Sequence, residues 1–165
     1  MAKLEVLKFP NPVLRKKCEK VQEIDDEIVR IAHDMAETMY TKSGLGLAAS
    51  QVGIPKQIIV LDIGDGLITL INPEITLTEG TCTMEEGCLC LPKISVEVER
   101  HANIQVKGID LYGKPVSFDA DELMARVFQH EIDHLGGKLI IDKLSKVKRD
   151  LKIKEYRKLN LEEGK

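Results

Sequence analysis

The chain has 165 residues, of which 43% are hydrophobic, 31% are charged and 4% are aromatic, and its formal net charge is −3. This length and composition are those of a soluble globular protein, so we expect a single domain over residues 1–165. The low aromatic content and the absence of Trp argue against a base-stacking surface, and we expect no DNA partner. No stretch resembles a signal peptide or a membrane span, so we expect a cytoplasmic monomer with no membrane partner.

One helix followed by several strands is predicted for the first two thirds of the chain. Residues 25–40 carry apolar side chains at a spacing near 3.6 residues, which predicts a helix that ends at Ser43 and Gly44. The small residues of GLGLAASQVGIP predict a loop. Segments rich in β-branched residues predict the strands QIIVLDI, LITLINPEITL, ISVEVER and ANIQVKGIDL.

Two further helices are predicted towards the C-terminus. The first covers residues 121–135 and is ended by Gly136 and Gly137. The second covers residues 143–158, with three apolar residues on one side: Leu144, Val147 and Leu151. A helix, then many strands, then helices is typical of the α+β fold class.

The segment QHEIDHLGG fits the pattern H-E-x-x-H, with His130 and His134 four residues apart. On a helix this spacing puts both imidazoles on one face, where they can bind a divalent metal ion. They continue an apolar stripe that starts at Leu123 and Val127 and is expected to face inward. Glu131 favours a metal site over two structural histidines, because an ionised carboxylate beside a core is costly unless it has a task or a partner.

A zinc-like site with an open position needs a third ligand, which can be cysteine, histidine, aspartate or glutamate. Cys88 and Cys90 lie two residues apart on one face of a strand, and their spacing does not choose between them. A separate structural zinc site with Cys82 would need a fourth ligand, and the usual C-x-x-C motif is absent. The remaining candidates are expected to be exposed, hydrogen-bonded or buried as small residues: His33, His101 and Cys18.

Three blocks of the sequence resemble, in the same order, the signature motifs of the peptide deformylase family. They are GLGLAASQ, EGCLC and QHEIDHLGG, where the family has G-x-G-L-A-A-x-Q, E-G-C-L-S and Q-H-E-x-D-H-L. The resemblance runs from FPNPVLRK to residue 137. It implies Cys88 as the third metal ligand, and mixed or antiparallel sheets packed around the H-E-x-x-H helix. The chain departs from the family at Cys90, where serine is usual, so that a second thiol open to oxidation lies near the metal.

The same resemblance implies hydrolysis of the formyl group of N-formyl-methionyl polypeptides, with release of formate. A water bound to the metal is then the nucleophile, and Glu131 is the general base and later the general acid. The side chain of Gln51 and the N–H of Leu89 are expected to stabilise the oxyanion. Gly46 is expected to let an extended peptide pair with the backbone.

Further residues are expected to shape the site. The pocket for the methionine side chain is predicted to include Gly44, Leu45, Leu123 and Val127. By resemblance, Glu86 and Arg100 pair and brace the segment that carries Cys88. Asp133 is expected to support the metal ligands or to lie on the surface.

The metal and the C-terminal tail are each open to two interpretations. Ligand type alone favours zinc, whereas the resemblance implies iron(II) as the native ion, displaced by zinc, nickel or cobalt during handling. Residues 143–165 are predicted to form a basic C-terminal helix or tail. Its charge fits a solvated helix face, or a surface that approaches the phosphates of the ribosome.

Two other functions compete with deformylation. A zinc peptidase also uses H-E-x-x-H, but it requires neither GLGLAASQ nor a cysteine ligand, and thiolate donation makes a metal less electrophilic. A non-catalytic, metal-stabilised binding module would not need Glu131 and leaves the glycine-rich segment unexplained.

Overall fold

The fold is seen in a computed structural model that describes residues 4–163, with the side chains described up to residue 161. Three α-helices and five β-strands are present. The helices are α1 (Asp26–Thr41), α2 (Glu122–Leu135) and α3 (Lys146–Glu163). The strands are β1 (Gly46–Ala48), β2 (Ile58–Leu61), β3 (Ile68–Cys88), β4 (Leu91–Ile109) and β5 (Pro115–Asp121).

The five strands form one antiparallel sheet in the order β1-β2-β3-β4-β5, so β1 and β5 are its edges. Strands β3 and β4 make a long hairpin whose register shifts at three places, the last of them between Glu86 and Cys88. Such irregularities bend a strand and re-aim its side chains. The α+β class is confirmed, and every strand pairing is antiparallel.

Helix α2 packs against the sheet through Ala125, Val127 and Phe128, which belong to the same apolar cluster as Ile59 and Leu70. The helix ends as expected before Gly136 and Gly137. Gly137 has a φ of +76°, and a Cβ atom there would lie 2.3 Å from the carbonyl oxygen of Arg15. Only glycine permits both this conformation and this close approach. The end of α2 is thereby held against the N-terminal segment.

Several predicted boundaries were wrong. The supposed loop GLGLAASQVGIP contains β1 and a 3-10 helix, Ala49–Val52, and β5 was not predicted. The segments ISVEVER and ANIQVKGIDL belong to one continuous strand, β4. Paired strands in a long hairpin satisfy each other's backbone groups, so TEGTCTMEE continues β3 although it lacks strong alternation of apolar residues.

The apolar side predicted for the last helix is also wrong for two of its three residues. Val147 and Leu151 are exposed, whereas Tyr156 is buried and its hydroxyl donates a hydrogen bond of 2.8 Å to the carbonyl oxygen of Phe9. Ile153 and Leu159 pack beside Tyr156, so tertiary contacts select a different face of α3. None of the helices within residues 4–163 is long and apolar enough to cross a membrane.

Candidate metal centre

Three potential metal ligands converge where the end of β3 meets the middle of α2. The Sγ atom of Cys88 lies 3.3 Å from Nε2 of His134, and the Nε2 atoms of His130 and His134 are 3.2 Å apart. One ligand atom from each residue lies within 4.8 Å of the other two. Because imidazole nitrogens and a sulfur at these distances repel unless protons or a cation lie between them, the cluster is suited to a bound cation.

The chemistry of the donor set also fits a transition-metal ion. Thiolate and imidazole are the donors of zinc and related ions, and three protein ligands leave a position open. A hydrogen bond with Cys90 and burial raise the pKa of the Cys88 thiol to about 11. Metal binding at Cys88 would therefore release a proton.

Glu86 orients one of the imidazoles. Its Oε1 atom lies 2.9 Å from Nδ1 of His130, so Nδ1 donates a hydrogen bond to Glu86 and Nε2 is the nitrogen that faces His134. The Nδ1 atom of His134 is buried and has no hydrogen-bond partner in the described part of the chain. The hydroxyl of Ser50 donates to the backbone carbonyl of His134 at 3.2 Å, which ties this turn of α2 to the 3-10 helix Ala49–Val52.

A buried ion-pair network holds Glu86. Arg100 donates to both carboxylate oxygens of Glu86, from Nε to Oε2 at 2.6 Å and from the terminal nitrogen Nη2 to Oε1 at 2.8 Å. The other terminal nitrogen of Arg100 donates to Asp133 at 2.8 Å, and Lys143 lies 3.3 Å from the same Asp133 oxygen. Burial alone would raise the pKa of Glu86, but hydrogen bonds from His130 and Arg100, with their charges, lower it to about 2. Glu86 is therefore an anion at neutral pH.

Arg126 is a member of this network that sequence reasoning missed. It is buried, and its guanidinium donates to Glu86, to the carbonyl oxygen of Val98 at 3.0 Å and to that of Cys82 at 2.6 Å. Arg126 lies one turn before His130 in α2, on the helix side that faces inward. The position of this arginine in the sequence could have revealed the network, because an arginine on the inward side of a helix requires an acidic partner.

The carboxylate of Glu131 points into the site, and one of its two oxygen atoms forms no hydrogen bond with the described residues. The residue is buried, and its Oε1 atom has no hydrogen bond to the described residues. Burial raises the pKa of Glu131 to about 7, although the charges of His130 and Arg100 lower it. A carboxyl group with a raised pKa and a free oxygen beside metal-binding residues is suited to proton transfer.

Gly46 makes room for this carboxylate. A Cβ atom at residue 46 would lie 2.6 Å from Oε2 of Glu131 and 2.9 Å from Cγ1 of Val127. Any larger residue would displace Glu131, so the glycine of β1 and the glutamate of α2 form one unit.

Gln51 and Leu89 flank the metal ligands. The Oε1 atom of Gln51 accepts a hydrogen bond of 2.8 Å from the N–H of Ala48, which leaves its amide nitrogen facing Sγ of Cys88 at 3.6 Å. Leu89 directly follows Cys88 in the two-residue turn between β3 and β4 and is half-buried. Both residues line the same cavity as Glu131.

A cavity of about 400 Å³ opens from the ligands to the surface. All four residues predicted for a substrate pocket line it: Gly44, Leu45, Leu123 and Val127. Leu45 and Leu123 are 45% and 40% exposed and lie at its open side, so Leu123 departs from the buried stripe formed by Val127 and the two histidines. Met84 and Ile94 also line the cavity and were not predicted from the sequence.

The free edge of the sheet lies beside this cavity. The N–H of Asp62, the residue after β2, donates to the carbonyl oxygen of Leu45 at 2.9 Å. Since hydrogen-bonded pairs alternate along antiparallel strands, the backbone N–H and C=O of Gly46 point away from β2. Ala48, which has the same orientation, donates to Gln51 instead of to β2. Within residues 4–163, the N–H and C=O of Gly46 therefore face the open edge of the sheet, where an extended ligand could pair with them.

The other sequence candidates lie elsewhere or have other roles. His33 and His101 are exposed, and Cys18 is buried, as expected. Cys82 is exposed and lies outside the ligand cluster. Cys90 is fully buried, with its sulfur 3.1 Å from that of Cys88.

Comparison with known proteins agrees with this geometry. A model of the polypeptide deformylase family matches residues 3–150. The peptide deformylase of Thermodesulfovibrio yellowstonii is 47% identical over 162 residues, which cover 95% of this chain and 98% of that protein. A crystal structure of a peptide deformylase from Legionella pneumophila matches with a TM-score of 0.95 and 36% identity over 99% of both chains.

A second solved structure, peptide deformylase from Ehrlichia chaffeensis in complex with actinonin, matches with a TM-score of 0.92 and 35% identity. The match covers 96% of this chain and 98% of that one. The chain belongs to the polypeptide deformylase family, and it is a hydrolase. The resemblance drawn from the three motifs is thus confirmed.

Replacement of Glu86 by glutamine tests the buried network. The Glu86→Gln variant keeps the side-chain volume but leaves the buried Arg126 without an anion and Arg100 with Asp133 alone, so we expect a loss of about 3–5 kcal/mol in the free energy of unfolding. Urea denaturation of the metal-free protein measures this change. In the control Glu155→Gln, the partner is the half-exposed Lys152 at 3.2 Å, and a loss of about 0–1 kcal/mol is expected. Equal losses in the two variants would contradict the role given to Glu86.

Proposed function

We propose that this chain removes the N-terminal formyl group from nascent formyl-methionyl polypeptides and releases formate. The observation that carries the proposal is the convergence of Cys88, His130 and His134 beside the buried carboxylate of Glu131, at the base of a cavity that adjoins a free strand edge. Membership of the polypeptide deformylase family supports the substrate class. The edge suits an extended chain, and the base of the cavity suits the small formyl group.

The extended substrate would add to the sheet beside β1. The free N–H and C=O of Gly46 would pair with the peptide backbone, as in other cases of strand addition. The methionine side chain would lie between Leu45, Leu123 and Val127, whose apolar surfaces line the cavity. This placement holds the formyl group near Glu131 and the metal ligands.

Cys88, His130 and His134 would hold the metal ion, and their donor atoms fit it as described above. When bound, a divalent ion polarises a carbonyl oxygen and brings the pKa of a coordinated water near neutrality. We propose iron(II), with zinc, nickel and cobalt as replacements. The choice of iron rests on the family resemblance, since the donors also fit zinc.

Glu131 would move the proton. Its carboxylate accepts a proton from the attacking water and then donates it to the departing amine, as a general base and general acid. A pKa near 7 suits both steps, because the group can hold or release a proton near neutral pH. The unpartnered Oε1 atom is the oxygen available for this transfer.

Gln51 and Leu89 would stabilise the charge that develops on the formyl oxygen. The amide nitrogen of Gln51 is fixed towards the site by the hydrogen bond between its Oε1 atom and Ala48. The backbone N–H of Leu89 follows the ligand Cys88 and lies on the same cavity. A preorganised donor of this kind is worth about 10²–10³ in rate.

The C-terminal helix would bring the enzyme to the source of its substrate. Several of its basic side chains are exposed: Lys146, Lys148, Lys154, Arg157 and Lys158. Such a surface suits the phosphates of ribosomal RNA, and binding of this kind weakens as salt concentration rises.

Formate release tests the proposed function directly. Protein purified anaerobically with iron(II) retained is expected to release formate from a short formyl-Met peptide and to leave an N-acetylated peptide uncut at its internal bonds. The Glu131→Gln variant should keep its metal but lose about 10²–10⁴-fold in kcat/KM, because the proton acceptor is gone. Metal content of both proteins is measured in parallel. Cleavage of the internal bonds, or no formate from metal-replete protein, would refute the proposal and favour the peptidase or binding module.

The contact between Gly46 and Glu131 gives a second test. In Gly46→Ala the new Cβ would meet Oε2 of Glu131 at 2.6 Å, and displacement of the carboxylate by about 1 Å costs roughly 10²-fold in kcat/KM. The matched control is Gly136→Ala, at an exposed position just after α2, whose Cβ would lie 3.5 Å from the carbonyl oxygen of Asp133, an ordinary contact, and little change is expected. If the two variants retained equal activity with equal metal content, Gly46 would not position Glu131.

A further inference from the structure

Two sulfur atoms are in contact beside the metal ligands. The Sγ atoms of Cys88 and Cys90 are 3.1 Å apart, and the Cys88 sulfur also lies near side-chain nitrogen atoms of His130, His134 and Gln51. None of the four cysteines forms a disulfide bond in the structure. The sequence has cysteine at position 90, where the signature motif has serine, and the function proposed above gives Cys90 no task.

We propose that Cys88 and Cys90 are a modification site, at which a hydroperoxide converts the two thiols into a reversible disulfide and switches off the metal centre. This inference rests on the proposed function for its consequence, since it concerns regulation of the same site. Its chemistry depends only on the two sulfur atoms and their surroundings.

The two thiols differ in access, which fixes the order of the reaction. Cys88 is only partly buried and lines the cavity of about 400 Å³, whereas Cys90 is 0% exposed. A small peroxide therefore reaches Cys88 first. Cys90 is shielded from the oxidant but touches the sulfur that the oxidant attacks, which is the arrangement of a reactive and a resolving cysteine.

The chemical steps balance. Cys88 gives up its thiol proton and its sulfur attacks one oxygen of hydrogen peroxide. The O–O bond breaks, Cys88 becomes a sulfenic acid, and the departing hydroxide takes up the proton as water. The sulfur of Cys90 then attacks the sulfenic sulfur, the S–O bond breaks, and the thiol proton leaves with the hydroxyl group as water. Cys88 and Cys90 together lose two electrons, and the peroxide gains them.

The two sulfur atoms are already close to bonding distance. A disulfide requires the sulfur atoms to approach to about 2.05 Å, which is roughly 1 Å closer than the present contact. Cys88 pairs with Leu91 across the end of the hairpin, and Cys90 lies in the turn between them. A bond between residues two apart closes a small, constrained ring, and constrained disulfides are the ones that thiols reduce readily.

Formation of the disulfide has two effects on the site. The Cys88 sulfur ceases to be a thiolate donor, so the site keeps only the two imidazoles and the ion is expected to leave. The bond also stops Cys88 from proceeding to sulfinic and sulfonic acids, which thiols do not reverse. A serine at residue 90 would give neither the bond nor this protection.

Peroxide treatment of the zinc-loaded protein tests the proposal, because zinc is not redox-active and the reacting groups are then sulfur atoms of cysteine and methionine side chains. All variants carry Cys82→Ser, which removes an exposed thiol that lies outside the site. One tryptic peptide, residues 57–93, then contains Cys88 and Cys90 as its only cysteines. Peptide 57–93 also contains the exposed Met84, so tandem mass spectrometry is used to locate each change and to separate oxidation of Met84 from oxidation of the two cysteines. A chromogenic chelator follows zinc release, and formate release is measured before and after treatment.

The expected result is loss of two hydrogen atoms from peptide 57–93, with release of one zinc ion per chain and loss of activity. Dithiothreitol with added zinc should restore the peptide mass and the activity. In the control that also carries Cys90→Ser, the same treatment should leave Cys88 as sulfinic or sulfonic acid, and dithiothreitol should restore nothing. Cys90→Ala is a second control should the serine variant fold poorly.

Two results would overturn the proposal. One is sulfinic acid at Cys88 in protein that retains Cys90, and the other is retention of both thiols and of zinc under treatment that oxidises Cys88 in the serine variant. The mass and zinc measurements need no substrate. A disulfide formed in protein whose iron(II)-loaded form releases no formate would therefore refute the proposed function and leave the modification site standing.

Discussion

The carboxylate of Glu86 is the interaction on which the geometry of the site depends. It is buried at the end of β3, and it binds Arg100 of β4 and both Arg126 and His130 of α2. One anion thus joins the two strands of the long hairpin to the helix that carries the histidines. Because a buried charge is tolerated only with its partners in place, correct folding of these three elements and correct orientation of His130 occur together.

Small residues place the chemistry beside this network. The absence of a side chain at Gly46 lets the edge strand approach α2 so closely that Glu131 lies against it. The same residue presents its backbone N–H and C=O to the free edge of the sheet. Gly46 lies in a strand of only three residues. It therefore connects the expected peptide-binding edge of the sheet to Glu131, the group that would move the proton.

The spacing of residues along the chain predicted the metal ligands that lie on one helix. It did not predict the site residues that separate segments of the chain bring together. The pair His130 and His134 follows from helical periodicity, but Cys88 was distinguished from Cys90 only by resemblance to a family. Arg126 was missed because its partner is 40 residues away in sequence. β1 was taken for a loop because glycine and alanine carry no strand pattern, and Val147 and Leu151 were misplaced because Tyr156 anchors α3 on another face.

Cys88, His130 and His134 are expected to form one metal site. X-ray absorption spectroscopy of the metal-loaded protein tests this expectation most directly, because the spectrum counts sulfur and nitrogen donors around the ion. The structure predicts one sulfur and two imidazole nitrogens, with the sulfur lost in a Cys88→Ala variant. Two sulfur donors would make Cys90 a ligand, and a shell without sulfur would contradict the account.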